Sequence, residues 1–188
     1  MKKSLFTLIA LLLTAAFLLC GCEDIPTANE SPKVVFVDGN AEKTDQEILF
    51  GRAIKDKDLP IICIDSKEAM DAFHQKAREN VYMAEGNKGE LFELPTIAGY
   101  NDAVAPYTED FFKEKSLIVS FAYVTSSPAY FEVSNISIQE GKLSILVDAF
   151  SLGVDAAMEG RFIFIELPKS DLEGVTELVA LQDVGEVA

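Results

Sequence analysis

The chain has no tryptophan and a single histidine, His74, in 188 residues. One histidine cannot supply the set of nitrogen ligands a zinc site needs. With neither a Gly-x-Ser-x-Gly elbow nor a His-Glu-x-x-His helix, a serine nucleophile or metalloprotease base has no recognisable frame. Two carboxylates suffice for some glycosidases, but no tryptophan is present to stack on a sugar ring, so an enzyme is not expected and no cofactor is implied. Cations are also scarce, with 16 Lys and Arg against 31 Asp and Glu and a net charge of −15. That surplus opposes nucleic acid and anionic lipid. It fits a well-solvated surface, cation-rich surroundings or a basic partner.

What is present is concentrated first at the N-terminus. Met1-Lys2-Lys3 is a short positive region, and residues 5–19 are nearly continuous hydrocarbon, interrupted only by Thr7 and Thr14. This has the form of a secretory signal. Its core of about fifteen residues falls short of the roughly twenty that a spanning helix needs. Leu19-Cys20-Gly21-Cys22 resembles the bacterial lipobox, which implies cleavage ahead of Cys22 and acylation of its thiol. Cys20 fits less well, because bulky Leu19 would precede the cut. An ordinary signal peptide with two incidental cysteines is the alternative. Residues 1–21 are thus expected to be removed, and 22–33, with Pro26 and Pro32, to form a flexible leash. The resemblance implies anchorage in a lipid bilayer through Cys22, on the outer face of a bacterial cytoplasmic membrane or on an outer membrane. Cys63 is then the one remaining thiol, which excludes an intramolecular disulfide and a cysteine metal cluster.

Residues 34–188 read as one α+β domain, mainly antiparallel, with about six to eight strands in a sandwich- or half-barrel-like arrangement. The run 34–37 ends at Asp38-Gly39 and predicts a strand. Residues 38–42 imitate the start of a calcium loop, but Lys43 stands where its glycine belongs and Leu49 where its glutamate belongs. Alternation over 48–54 followed by 61–64 predicts a hairpin. Thr44 and Glu47 offer a helix capping box instead, with Gly51 arguing against its persistence. Cys63 in the second strand is expected to be a small buried hydrophobe rather than a nucleophile. Asp65-Ser66-Lys67-Glu68 starts the principal helix, at about 66–79, with Asp65 as cap and Met70, Phe73 and Ala77 on its packing face.

The stretch 80–106 is irregular and punctuated by glycine, with Tyr100 inside it and Tyr107 just beyond. Such aromatics either anchor a ligand or pin the loop to the core. Thr108 caps a short helix at about 109–115. Residues 116–124 are apolar on both faces and predict a central strand. A change of apolar parity between Val133 and Ile136 predicts a bulge at Ser134-Asn135. Glu140-Gly141 turns a hairpin into the alternation Leu143, Ile145, Val147, Ala149. A loop at 151–160, a buried strand at 162–165, a capped turn at 170–174 and a closing strand at 175–181 complete the chain.

The order of these pieces resembles the C-terminal domain of PrcB-type lipoproteins, accessory subunits that stabilise a surface protease. The matching pieces are the glycine-bearing segment 48–54, the strand and Ser-Lys-Glu helix at 61–77, Asp110-Phe111-Phe112, the strand 117–121, the hairpin and Pro168-Lys169. Where that family has a Thr-Gly-Gly-Tyr turn, this chain has Thr125-Ser126-Ser127-Pro128-Ala129-Tyr130, so only Thr125 and Tyr130 carry over. Lacking those glycines, the turn needs another backbone geometry. The resemblance implies a non-catalytic interaction module with a protein partner in the cell envelope. Tyr100, Tyr107, Thr125 and Tyr130 are its candidate contact residues, presented by the loops 80–107, 125–130 and 151–160. The alternative is capture of a small ligand or cation by Asp102, Glu109, Asp110, Asp148 and Asp155.

Overall fold

The computed structural model describes residues 31–41, 43–52, 58–80, 82–83, 97–125, 127–155 and 158–186. The expected export signal, Cys22 and most of the expected leash lie outside the described residues, as do residues 84–96 and 156–157. The chain runs β1 (Lys33–Asn40), α1 (Lys43–Phe50), β2 (Asp58–Leu59), β3 (Ile61–Ile64), α2 (Lys67–Asn80), β4 (Tyr82–Met83), β5 (Ile97–Ala98), α3 (Tyr100–Val104), α4 (Phe111–Glu114), β6 (Lys115–Val124), β7 (Ser127–Gln139), β8 (Lys142–Asp155), β9 (Glu159–Pro168), a 3-10 turn (Lys169–Leu172) and β10 (Glu177–Glu186). All these elements belong to one unit, Pro32–Ala188.

The fold is α+β with mostly antiparallel pairing. A six-stranded sheet has the order β3-β6-β9-β1-β4, with β5 also on β1; a four-stranded sheet has the order β2-β10-β8-β7. β6 and β9 are apolar on both faces because both faces are covered. On one side, Leu117, Val119, Phe121, Phe162 and Phe164 pack against the helical residues Leu49, Phe50, Met70, Phe73 and Ala77. On the other, Ile118, Ala122, Ile163 and Ile165 meet Phe131, Leu143, Ile145, Val147 and Ala180 of the four-stranded sheet. Helices, six-stranded sheet and four-stranded sheet are therefore stacked as three layers, and among the described residues only one face of the four-stranded sheet is packed.

Pro60 carries the chain from one sheet to the other between β2 and β3. Lacking an N–H, it leaves no donor unpaired at the crossing, and its carbonyl accepts from Ser120 Oγ at 2.8 Å. At the opposite end, Gln182 of β10 joins the sheets: its amide nitrogen donates to Tyr123 O at 2.7 Å and its oxygen accepts from Tyr123 N at 3.3 Å. β3 pairs with β6 only from Leu117 to Ser120, so this side chain takes the hydrogen bonds a longer β3 would have made.

Several expectations hold in detail. Glu140 (φ 51°) and Gly141 (φ 75°) make the tight turn between β7 and β8; paired positive φ angles are what a two-residue hairpin with native twist requires. The pairing shifts register between Val133 and Asn135, leaving Ser134 as the extra residue of the bulge. β9 lies between β6 and β1. The short helix expected at about 109–115 forms but is shorter, spanning 111–114 with Asp110 at its N-cap; Thr108 Oγ1 accepts from Phe111 N at 3.4 Å, and Lys115 already enters β6.

Other expectations are corrected. Residues 48–50 are helical, so the 48–54 strand does not form there and the piece of the family resemblance resting on it is lost; 53–57 lie outside the described residues. α1 buries Gln46, Leu49 and Phe50 at helical spacing. Gly51, read as a breaker, adopts φ 68° and donates to Glu47 O at 2.9 Å, which is the left-handed stop of a helix. The principal helix begins one residue late. Ser66, not Asp65, caps it, with Ser66 Oγ accepting from Ala69 N at 3.2 Å, while the Asp65 carbonyl accepts from Lys169 Nζ. Cys63 is exposed, because β3 is an edge strand that among the described residues has a neighbour on one side only. The expected loop at 151–160 is largely strand, since β8 continues to Asp155 and β9 starts at Glu159. β10 pairs with β8 in parallel over ten positions, from Glu177 to Glu186.

Candidate functional site

The four candidate contact residues fall in three places. Tyr100 and Tyr107 are core residues. Tyr100 stacks on His74 at 5.3 Å between ring centroids and lies 6.4 Å from Phe164; Tyr107 lies 6.1 Å from Phe164 and 4.9 Å from Phe111. Of the two readings of these loop aromatics, pinning the loop to the core describes them. Tyr100, Ala103, Val104 and Tyr107 take the spacing of one helical face, a signal hidden by the flanking Gly99 and Pro106. Thr125 is exposed at the end of β6, and Tyr130 lies on the outward side of β7.

His74 Nδ1 is 3.0 Å from the Tyr100 hydroxyl. Burial pushes the Tyr100 hydroxyl well above its ordinary value, so it keeps its proton and can donate to a neutral imidazole. Partial burial, helped by the Arg78 and Lys67 cations, holds His74 below its usual value against the opposing pull of Asp71. The unfolded chain therefore binds a proton more readily than the native one. The contribution of this group is complete above about pH 6.5, the unfolded value, and is lost as pH falls through the depressed native value. Because no other histidine exists, urea midpoints of the wild type should fall more steeply between pH 7.5 and 5.5 than those of His74→Gln. Equal slopes would remove this linkage.

Cys63 does not have the features of an activated thiol. Although the residue is exposed at the strand edge, desolvation by the atoms packed beside its sulfur and the nearby Asp65 carboxylate push it up, which outweighs a hydrogen bond from Ser116 and the charge of Lys169. The acids Asp102, Glu109 and Asp110 are exposed near α3 and α4, and Asp110 pairs with Lys113 at 2.6 Å. Asp148 stands on a different layer, on β8. Among the described residues no three His, Cys, Asp or Glu side chains gather so as to hold a metal ion.

The feature that sequence reading missed is a face rather than a loop. Because Leu143, Ile145, Val147 and Ala149 point into the inter-sheet core, their neighbours Ser144, Leu146, Asp148 and Phe150 point outward. Register then builds rows across the sheet. Tyr130 is opposite Phe150, and Phe150 is opposite Gly185; the Tyr130 and Phe150 rings are 6.2 Å apart. The Phe150 ring covers Gly185 so closely that a Cβ there would meet two ring carbons at 3.0 Å. One row further, Glu132, Asp148 and Asp183 are aligned. Beyond them come Asn135, Leu146 and Leu181, with Asp58 of β2 next to Leu181. Phe150 is 37% exposed and Leu181 42%, large values for apolar side chains in the middle of paired strands. The signal was present in the sequence as the even-numbered residues of 142–150 and the odd-numbered residues of 179–185, but only the parallel pairing of β8 and β10 brings them into one surface.

No helix among the described residues is long and apolar enough to cross a membrane. No family model, no curated protein and no solved structure matches this chain.

Proposed function

We propose that the chain is an exported lipoprotein, tethered through acylated Cys22, that works as a non-catalytic protein-interaction module at the outer face of a membrane. The observation that supports this reading is the outward face of the four-stranded sheet. It presents Tyr130, Leu146, Phe150, Val179 and Leu181 with no layer of described residues over them, whereas both faces of the larger sheet are packed. Phe150 and Leu181 are exposed there and Tyr130, Leu146 and Val179 half-buried, and exposed apolar side chains grouped on one face favour contact with another macromolecule. An aromatic pair at its edge supplies the side chains that dominate protein contacts. The accessory-subunit role toward a surface protease is the specific form that the order of strands, helix and hairpin suggests.

Crosslinking of the lipidated protein in intact cells, followed by identification of what is captured, tests the reading. One dominant envelope or secreted partner, captured by the wild type and not by a Cys22→Ser chain that leaves the membrane fraction, is the expected result. An empty or nonspecific catch would overturn it and favour the small-ligand reading, to be followed by thermal-shift panels.

A further inference from the structure

Resting on that reading, we infer that the outward face of the four-stranded sheet receives a basic amphipathic helix of the partner, lying across the strands with its cations along the row Glu132, Asp148 and Asp183. Glu132 stands directly opposite Asp148, and Asp148 is in register with Asp183. Like charges placed opposite one another in a sheet are destabilising, and none of the three carboxylates makes an ion pair among the described residues. The row lies between two apolar ones, Tyr130 with Phe150 on one side and Leu146 with Leu181 on the other. A cationic surface with apolar flanks complements it in both respects. A second copy of this chain does not, since it would set acid against acid.

Spacing selects the form of the partner. Neighbouring strands are about 4.8 Å apart, so three in-register residues span about 10 Å. Two turns of an α-helix advance about 11 Å, which places cations at i, i+4 and i+7 over successive strands. An extended segment repeats on one side every ~7 Å and would need ~13 Å for three contacts. The apolar rows lie about 7 Å to either side along the strands, just outside the ~5–6 Å radius of a helix with its side chains, so they meet its apolar flanks rather than its underside. The carboxylates are too spread to chelate one ion: no metal-holding group is found among the described residues, this row included.

The probe is a fluorescein-labelled, alanine-based helical peptide with Lys at i, i+4 and i+7 flanked by Leu, added to the full chain in maltoside micelles and followed by anisotropy. Its control is the same composition with the lysines spread around the helix. The expected result is binding at least tenfold tighter for the striped peptide. That preference should vanish in Glu132→Gln/Asp148→Asn/Asp183→Asn and weaken with added salt. Glu68→Gln/Asp71→Asn/Glu79→Gln, which removes the same charge from exposed positions on α2, should stay within twofold of wild type. Binding by the micelle is common to all three proteins. The outward-face variant is also expected to melt no lower than wild type, since it loses like-charge repulsion. Equal weakening in both variants, or indifference to peptide pattern, would reduce the effect to net charge and overturn the inference. So would a calcium-induced rise in melting temperature that only the outward-face variant loses, or self-association broken by Leu181→Ser. A partner captured in cells through a photo-crosslinker at Thr125 and never through one at Leu181 would leave the proposed function standing and remove this face from it.

Discussion

Arg161→Met is expected to destabilise the protein by about 3–5 kcal/mol, the cost of breaking a buried ion pair and leaving its partner behind. Arg161 sits opposite Asp38 in the pairing of β9 with β1. Its side chain is 5% exposed and that of Asp38 9%. One guanidinium nitrogen donates to Asp38 Oδ1 at 2.5 Å and to the Gly160 carbonyl at 2.9 Å; the other pairs with Glu159. Glu159 in turn accepts from the backbone of Ala129 at 3.0 Å. Arg161 also lies 5.5 Å from the centre of the Phe131 ring, so it ties the end of the larger sheet to the smaller one. Methionine keeps most of the volume but strands the two carboxylates in a place where water cannot fully solvate them. The companion variant Arg161→Met/Asp38→Asn/Glu159→Gln should recover most of the loss, because the penalty lies in buried carboxylates that have lost the guanidinium charge rather than in the missing contact. Urea denaturation of the two proteins decides it: if the triple variant is as unstable as the single one, shape and not charge is what Arg161 supplies.

The second large effect belongs to Gly160→Ala, expected to cost about 3 kcal/mol by overpacking. A Cβ at this position would come within 2.6 Å of Phe121 Cζ and 2.8 Å of the Gly39 carbonyl oxygen. Neither can retreat easily. Phe121 is fully buried, with its ring 4.6 Å from that of Phe162, and Gly39 is opposite Gly160 in the same β1–β9 pairing. Phe121→Leu combined with Gly160→Ala should restore only part of the loss, since it removes the ring and not the carbonyl. A melting temperature unchanged by Gly160→Ala alone would show that the two strands separate there at little cost.

How much of this was legible beforehand depends on whether the information is local. The Glu140-Gly141 turn, the Leu143 to Ala149 alternation, the bulge at Ser134 and the Met70, Phe73, Ala77 stripe each follow from a few neighbouring residues, and each is found. α1 departs from the expected strand although its residues spell it out: Gln46, Leu49 and Phe50 take helical spacing, and Gly51 is the stop that such a helix needs rather than a reason against it. Cys63 looked internal because its neighbours are isoleucines, but burial in an edge strand depends on what lies beyond the edge. The direction of β10 could not be read at all. Period-two alternation is the same whichever way a strand runs, and the outward face with its acid row exists only once β10 is laid parallel to β8. Tyr100 and Tyr107 fit either of two roles in sequence, and only packing against Phe164 separates them.

The placement of β10 also orders events in time. It is the last described strand in the chain, yet it lies between β2 and β8 in the smaller sheet. A ribosome or an export channel that delivers the chain from its N-terminus leaves β8 with one open edge until residues 177–186 emerge. During that interval β7 and β8 form a bare hairpin over the larger sheet, and the outward surface is not yet assembled. A product cut short before β10 therefore keeps an unpaired strand edge and an incompletely covered layer of isoleucine and valine, features that favour aggregation. In this topology the outward face of the smaller sheet comes into being only when residues 177–186 have been delivered.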